Sequence, residues 1–126
     1  MNKAIHTDKA PAALGPYSQA VAAGDFLYVS GQIGMDPTTG EMTEGIENQA
    51  KQVLKNIQAI LEEAGTDLTK AVKFSIYLKS MDDFSVVNDI YGSYLQEPYP
   101  ARSTIEVSKL PKDALVEMDV ILHLKA

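Results

Sequence analysis

The chain has 126 residues, 45% of them apolar and 22% charged, a formal charge of −6 and no cysteine. That length and composition suit one folded domain spanning residues 1–126 and exclude a disordered chain. The missing thiols exclude disulfides, thiolate metal sites and a cysteine nucleophile, and 17 carboxylates against 11 cations argue against a nucleic-acid-binding face.

In chain order, residues 1–8 lack the apolar centre of a signal peptide, which points to the cytoplasm, and residues 3–6 read as a short edge strand. Residues 10–16 form a Pro/Gly-rich loop. The uncharged stretch 10–24 is broken by Pro11, Gly15, Pro16 and Ser18, so it cannot cross a membrane as a helix. Residues 17–23 read as extended, Gly24-Asp25 as a hairpin turn, residues 26–33 as a strand, and residues 36–40 as a further turn.

Residues 46–64 change rhythm. Ile46, Ala50, Val53, Leu54, Ile57, Leu61 and Ala64 recur every three or four positions, with Glu47, Lys51, Lys55, Gln58 and Glu62 on the other side. This spacing predicts an amphipathic helix with Thr43 as N-cap and Gly65 as its stop. Val72, Phe74, Ile76 and Leu78 then alternate with Lys73, Ser75, Tyr77 and Lys79 in a half-buried strand. Ser80-Met-Asp-Asp83 resembles a capping arrangement before a second helix marked by Phe84, Val87, Tyr91 and Leu95, ending before Pro98. Strands over 102–107 and 116–124 close the chain.

The order β-β-β-α-β-α-β-β, with one apolar stripe per helix, predicts a two-layer α+β domain with both helices on one face of the sheet. Strand alternation places Arg102, Thr104, Tyr77, Glu117, Asp119, Ile121 and His123 on the other face. Tyr77 and Ile121 suit no fully wet surface and Glu117 and Asp119 no dry core, so a polar-lined interface between copies is expected there.

Arg102 is the only arginine, the other ten cations being lysine. Its planar fork grips a carboxylate through two parallel hydrogen bonds, which a lysine cannot reproduce. A structural ion pair with Glu117 or Asp119 is the competing reading. Glu117 can orient water or take a proton, or simply face solvent. Gly31, after Ser30, lets the backbone approach a ligand or marks a β-bulge. Tyr17, Asn88 and Tyr91 are polar-tipped residues with ordinary packing or capping alternatives. His6 and His123 are too far apart for a metal motif, and no triad or phosphate-loop spacing is present, so neither metal nor cofactor is expected.

Four ordered blocks carry a specific likeness: residues 10–19 (APAALGPYSQ), 24–33 (GDFLYVSGQI), Val87-Asn88 with Tyr91, and 100–111 (PARSTIEVSKLP) continued by Lys112-Asp-Ala and Glu117. They resemble the Rid (YjgF) family, and Arg102 with Glu117 match its imine/enamine deaminase subgroup. The resemblance implies a chorismate-mutase-like α+β fold with a mixed sheet, assembled as a homotrimer with ligand clefts between subunits. It further implies cofactor-free hydrolysis of 2-iminopropanoate and 2-iminobutanoate to 2-oxo acids and ammonia. Arg102 would then hold the substrate carboxylate and Glu117 position water, with Tyr17, Ser30, Gly31, Asn88 and the Thr104 backbone lining the cleft. Position 104 is often cysteine in the family, so Thr104 weakens any thiol role there. Rival readings are a carboxylate-ligand sensor with the same cleft, an RNA-directed translation inhibitor and, by fold alone, a chorismate mutase. The charge of −6 and two scattered histidines disfavour the RNA reading, and a single arginine is thin provision for a dicarboxylate.

Overall fold

The computed structural model describes residues 1–125. Six strands form one mixed sheet: β1 (Lys3–Ile5), β2 (Ala20–Ala23), β3 (Phe26–Ile33), β4 (Ala71–Leu78), β5 (Ala101–Glu106) and β6 (Val116–His123). Their order is β1-β2-β3-β6-β4-β5, with every neighbouring pair antiparallel except the parallel β4 and β5. Helices α1 (Gly45–Glu63) and α2 (Phe84–Ser93) both pack on one face, as their single apolar stripes predict.

The topology explains which strand holds the centre. β3 and β4 each run antiparallel to β6, so they are parallel to one another, and α1 is the crossover joining them. β6, last in sequence, fills the gap that this crossover leaves. Its inner side chains Val116, Met118, Val120 and Leu122 are buried against the helices, while Glu117, Asp119 and Ile121 emerge half-buried on the far face. The predicted alternation of β6 is therefore observed.

Several local expectations are corrected. Thr43 is not the N-cap of α1: its N–H and its hydroxyl both donate to the Gly34 carbonyl at 2.9 Å, and α1 starts behind Glu44 without a side-chain cap. Gly65 does end the helix, at φ +78°. The extended segment expected over 17–23 is a strand only from Ala20, because Tyr17–Gln19 belongs to the preceding loop. Ser80 caps the short 3-10 turn Met81–Asp83 rather than α2, and α2 stops at Ser93, well before Pro98. Val72 is exposed, against the alternation that predicts it on the inner face. The β4–β6 register shifts between Ala71 and Lys73, which takes Val72 out of the alternation.

The buried face of α1 also contains Gln49 and Asn56. Gln49 Oε1 accepts from the Leu115 N–H at 2.8 Å, and Asn56 Nδ2 donates to the carbonyls of Ile33 (3.2 Å) and Met35 (2.9 Å). Buried amides persist only when satisfied. Here they fasten the end of β3 and the entry to β6 to the helix layer.

Candidate functional site

The structure separates the two residues on which the sequence reading converges. Arg102 is in register with Phe74 and Thr104 with Ile76, both buried core residues, so Arg102 and Thr104 project towards the helices. Glu117 is in register with Tyr77 and lies on the far face. The expectation that Arg102 and Thr104 share the far face with Glu117 is corrected. The same geometry removes the competing ion pair of Arg102 with Glu117 or Asp119. Among the described residues no carboxylate lies within salt-bridge distance of Arg102.

Arg102 is instead held by α2. Its Nη1 donates to Asn88 Oδ1 at 2.6 Å, and its guanidinium carbon stands 5.5 Å from the Phe84 ring centre and 5.1 Å from that of Tyr91. Phe84, Asn88 and Tyr91 fall at i, i+4 and i+7, one face of the helix. That spacing is legible in the sequence, which gives Asn88 a place in the cleft and Phe84 and Tyr91 as helix markers. Tyr91 is itself fixed edge-on against Phe74, with ring centres 5.1 Å apart. Two aromatic faces and one amide thus orient the fork and leave its remaining N–H donors free. A hollow of about 530 Å³ opens beside it, lined by Asn88, Tyr91, Gly92, Tyr99, Pro100 and Arg102. The Thr104 hydroxyl and the Tyr91 hydroxyl are buried nearby without a hydrogen-bond partner among the described residues. Desolvation raises the Tyr91 pKa, which keeps its hydroxyl neutral.

The second group gathers around Glu117. A cleft of about 320 Å³ is walled on one side by Pro11, Ala12, Leu14, Tyr17 and Gln19, on another by Gly31, Gln32, Ile33 and Met35 of β3 and its exit, and on a third by Pro111, Lys112 and Glu117. Ser30 and Gly31 form a β-bulge: the β3–β6 register shifts between Val29 and Gln32, so both residues stand opposite Asp119. The β-bulge reading of Gly31 is therefore observed. A Cβ there would overlap Glu117 Oε2 and lie 2.9 Å from its Cδ, so glycine is what lets the carboxylate rest against the bulge. Ser30 uses its hydroxyl to donate to the Ser18 carbonyl at 2.5 Å and its N–H to donate to Gln19 O at 2.9 Å. It fastens the loop and is not among the cleft-lining residues.

Burial foremost, and then the negative charge of Asp119, raise the Glu117 pKa above its ordinary value of 4.5. The Tyr77 hydroxyl donates to Asp119 Oδ2 at 3.1 Å, and burial with that carboxylate raises the Tyr77 pKa in turn. Lys112, at φ +54°, reaches the cleft from a backbone conformation unusual for a side chain. It is one of the lining residues that residue type alone did not single out. Among the described residues no three His, Asp or Glu side chains gather as metal ligands, and no helix is long and apolar enough to cross a membrane. His6 pairs with Asp8 at 3.0 Å and His123 packs on Phe26, each away from both groups.

Beyond the Glu117 group the far face is uncovered. Phe26, Tyr28 and Ile105 are 38%, 48% and 51% exposed there, beside half-buried Tyr77 and Ile121. An apolar patch set among carboxylates suits contact with another protein surface.

The chain matches the sequence profile of the family described as Endoribonuclease L-PSP over residues 7–124. It is 52% identical over 120 residues to a RutC family protein of Pyrococcus abyssi, covering 94% of each chain. It is 48% identical over 122 residues to the 2-iminobutanoate/2-iminopropanoate deaminase of Bos taurus, covering 96% of this chain and 89% of that one. Among solved structures, RidA of the Antarctic bacterium Psychrobacter sp. superposes with a TM-score of 0.94 at 50% identity, covering 96% and 98% of the two chains.

Proposed function

The chain belongs to the Endoribonuclease L-PSP family, in which its relatives include RutC and Rid proteins, and on that premise we propose that it hydrolyses 2-imino acids to 2-oxo acids and ammonia. The observation that carries the proposal is the oriented, carboxylate-free guanidinium of Arg102 together with the half-buried carboxylate of Glu117. Arg102 takes the substrate carboxylate through its unoccupied donors. Glu117 accepts a proton from a water as that water adds to the carbon of the protonated imine, then returns it to the nitrogen of the resulting amino alcohol. The carbon–nitrogen bond breaks to release ammonia, while the hydroxyl proton passes to Glu117 or water and leaves the 2-oxo acid. A protonated imine is already electrophilic, so orientation and proton handling suffice.

One small substrate cannot touch both residues of one chain, since they leave opposite faces of the sheet. The site is therefore completed by a second copy, whose Glu117 cleft meets the Arg102 hollow of the first. A closed trimer built through the far face buries Phe26, Tyr28 and Ile105 and forms three such sites. The assignment of Tyr17, Gly31 and Asn88 to the pocket goes with this reading. Ser30 acts through the loop it holds, and Thr104 through its backbone beside Arg102. Cleavage of RNA finds no support in the side chains, since neither histidine stands at either group.

The test couples a purified dehydratase that releases enamines from serine or threonine to this protein and follows ammonia and 2-oxo acid. Faster release than in buffer, retained after dialysis against a chelator, is expected. Unchanged release with tight binding of 2-oxobutanoate would make the protein a sensor instead.

A further inference from the structure

Gln19 is 2% exposed and sits at the entry to β2. Its Oε1 accepts from the Thr7 N–H at 2.7 Å, and its Nε2 donates to the carbonyls of Thr7 (3.0 Å), Ala10 (3.3 Å) and Pro11 (2.8 Å). Among the described residues these are the only hydrogen bonds tying residues 7–16 to residues more than two positions away along the chain. Ala10, buried in the core, is the segment's apolar anchor. Immediately beyond these two anchors come Ala12, Leu14 and Tyr17, which with Pro11 wall the Glu117 cleft. Leu14 and Tyr17 are largely exposed, so packing within the chain does not hold them.

We propose that Gln19 is a positioning residue for the cleft: its buried amide sets where the wall of Pro11, Ala12, Leu14 and Tyr17 stands relative to Glu117. The effect on turnover rests on the imine-hydrolysis reading, whereas the tether itself does not. The residue type is dictated by the contacts. Glutamate offers the acceptor for Thr7 but no donor for three carbonyls, and asparagine falls short by one methylene. Two N–H hydrogens serve three carbonyls, so although Gln19 borders the cleft its amide has no donor left for substrate. The bonds from Ser30 reach only Ser18 and Gln19, so the stretch before them loses its placement when this group goes, and displacements of about 1 Å around a reacting group can lower rates about a hundredfold.

The experiment compares the wild type with Gln19→Met, which fills similar volume without the four bonds, with Gln19→Glu, and with Ile60→Val, a fully buried core change on α1 away from the cleft. Hydrogen exchange of the amides in 7–17, melting temperature, and kcat and KM for 2-iminobutanoate are measured on each. Both Gln19 variants should accelerate exchange in 7–17 selectively and lower kcat/KM at least about tenfold, while Ile60→Val lowers the melting temperature with kcat/KM unchanged. Unchanged exchange in 7–17 overturns the tether. Faster exchange with unchanged kcat/KM, or parallel losses in Ile60→Val, overturns the positioning role. Should the wild type itself fail to hydrolyse imines, the functional reading fails alone, and exchange still decides the tether.

Discussion

Arg102 and Glu117 leave opposite faces of the same sheet, because Arg102 is in register with inward-facing Phe74 and Glu117 with outward-facing Tyr77. If each working site takes its arginine from one copy and its glutamate from the next, two inactive variants should rescue each other. Arg102→Ala and Glu117→Gln, unfolded together and refolded at equal ratio, should recover roughly a quarter of wild-type activity, the chance that a given site draws both intact residues in a randomly mixed ring. Either variant refolded alone should remain inactive. Activity in the mixture no higher than the sum of the two would place both residues in one subunit's site.

The environment of Arg102 separates binding from folding. Arg102→Lys keeps the charge but loses the fork, so kcat/KM should fall at least about tenfold, a charge-assisted hydrogen bond contributing on the order of 1.5–3 kcal/mol. Arg102→Ala should fall further and also lose its contacts with Phe84 and Tyr91, each cation–π contact contributing about 0.5–1 kcal/mol at an exposed position. A small drop in melting temperature is expected for Ala, alongside a much larger effect on turnover. The reverse ranking would make Arg102 a fold residue.

Much of this was legible in the sequence, and the failures have a common physical origin. The apolar stripe of α1 and the strict alternation of β6 each report burial directly, so both elements and the outward direction of Glu117 could be read. The singularity of Arg102 marked it as special. Its face could not be read, since β5 is an exposed edge strand whose side chains carry no inside–outside contrast, and only pairing with Phe74 decides the direction. Gln19, Gln49 and Asn56 were invisible for a related reason. A buried amide looks like a surface amide until the loop carbonyls that satisfy it are in place.

Gly31 offers a test confined to the carboxylate. The three atoms nearest the Cβ of Gly31→Ala all belong to the Glu117 side chain, so the fold should hold while the carboxylate swings aside. Turnover should drop towards that of Glu117→Gln, roughly 10²–10⁴-fold below wild type for loss of a placed proton acceptor. Retained turnover in Gly31→Ala would show that Glu117 works from another position.

The turn Pro111–Ala114 carries Lys112 and Asp113 at φ +54° and +57°, closed by the Ala114 N–H donating to Pro111 O at 3.1 Å. Such turns favour Asn-Gly, and side chains held there cost on the order of 1 kcal/mol each. Lys112→Asn with Asp113→Gly should raise the melting temperature, because the Lys109–Asp113 pair it removes is exposed and 3.7 Å apart. Lys112 also lines the cleft, so KM should change with it. A lower melting temperature would show that the lysine stem contributes more by packing than its backbone loses.

The raised Glu117 pKa has consequences of opposite sign for stability and for activity. Between the ordinary value of 4.5 and its higher folded value, Glu117 binds its proton more tightly when folded, so stability falls as pH rises through that window. Above it the ionised, half-buried carboxylate is a standing destabilisation, and Glu117→Gln should melt higher than wild type at neutral pH. Activity needs the ionised form as proton acceptor, so kcat/KM should decline on the acid side at a pH above 4.5. Asp119 contributes to the shift, and Tyr77 holds it in place. Asp119→Asn removes that negative charge while leaving an oxygen for the Tyr77 hydroxyl, so it should move the acid limb to lower pH. Desolvation, the larger cause, remains, and the limb should stay above 4.5. A limb unmoved by Asp119→Asn, or one that persists in the residual activity of Glu117→Gln, would assign the titrating group elsewhere.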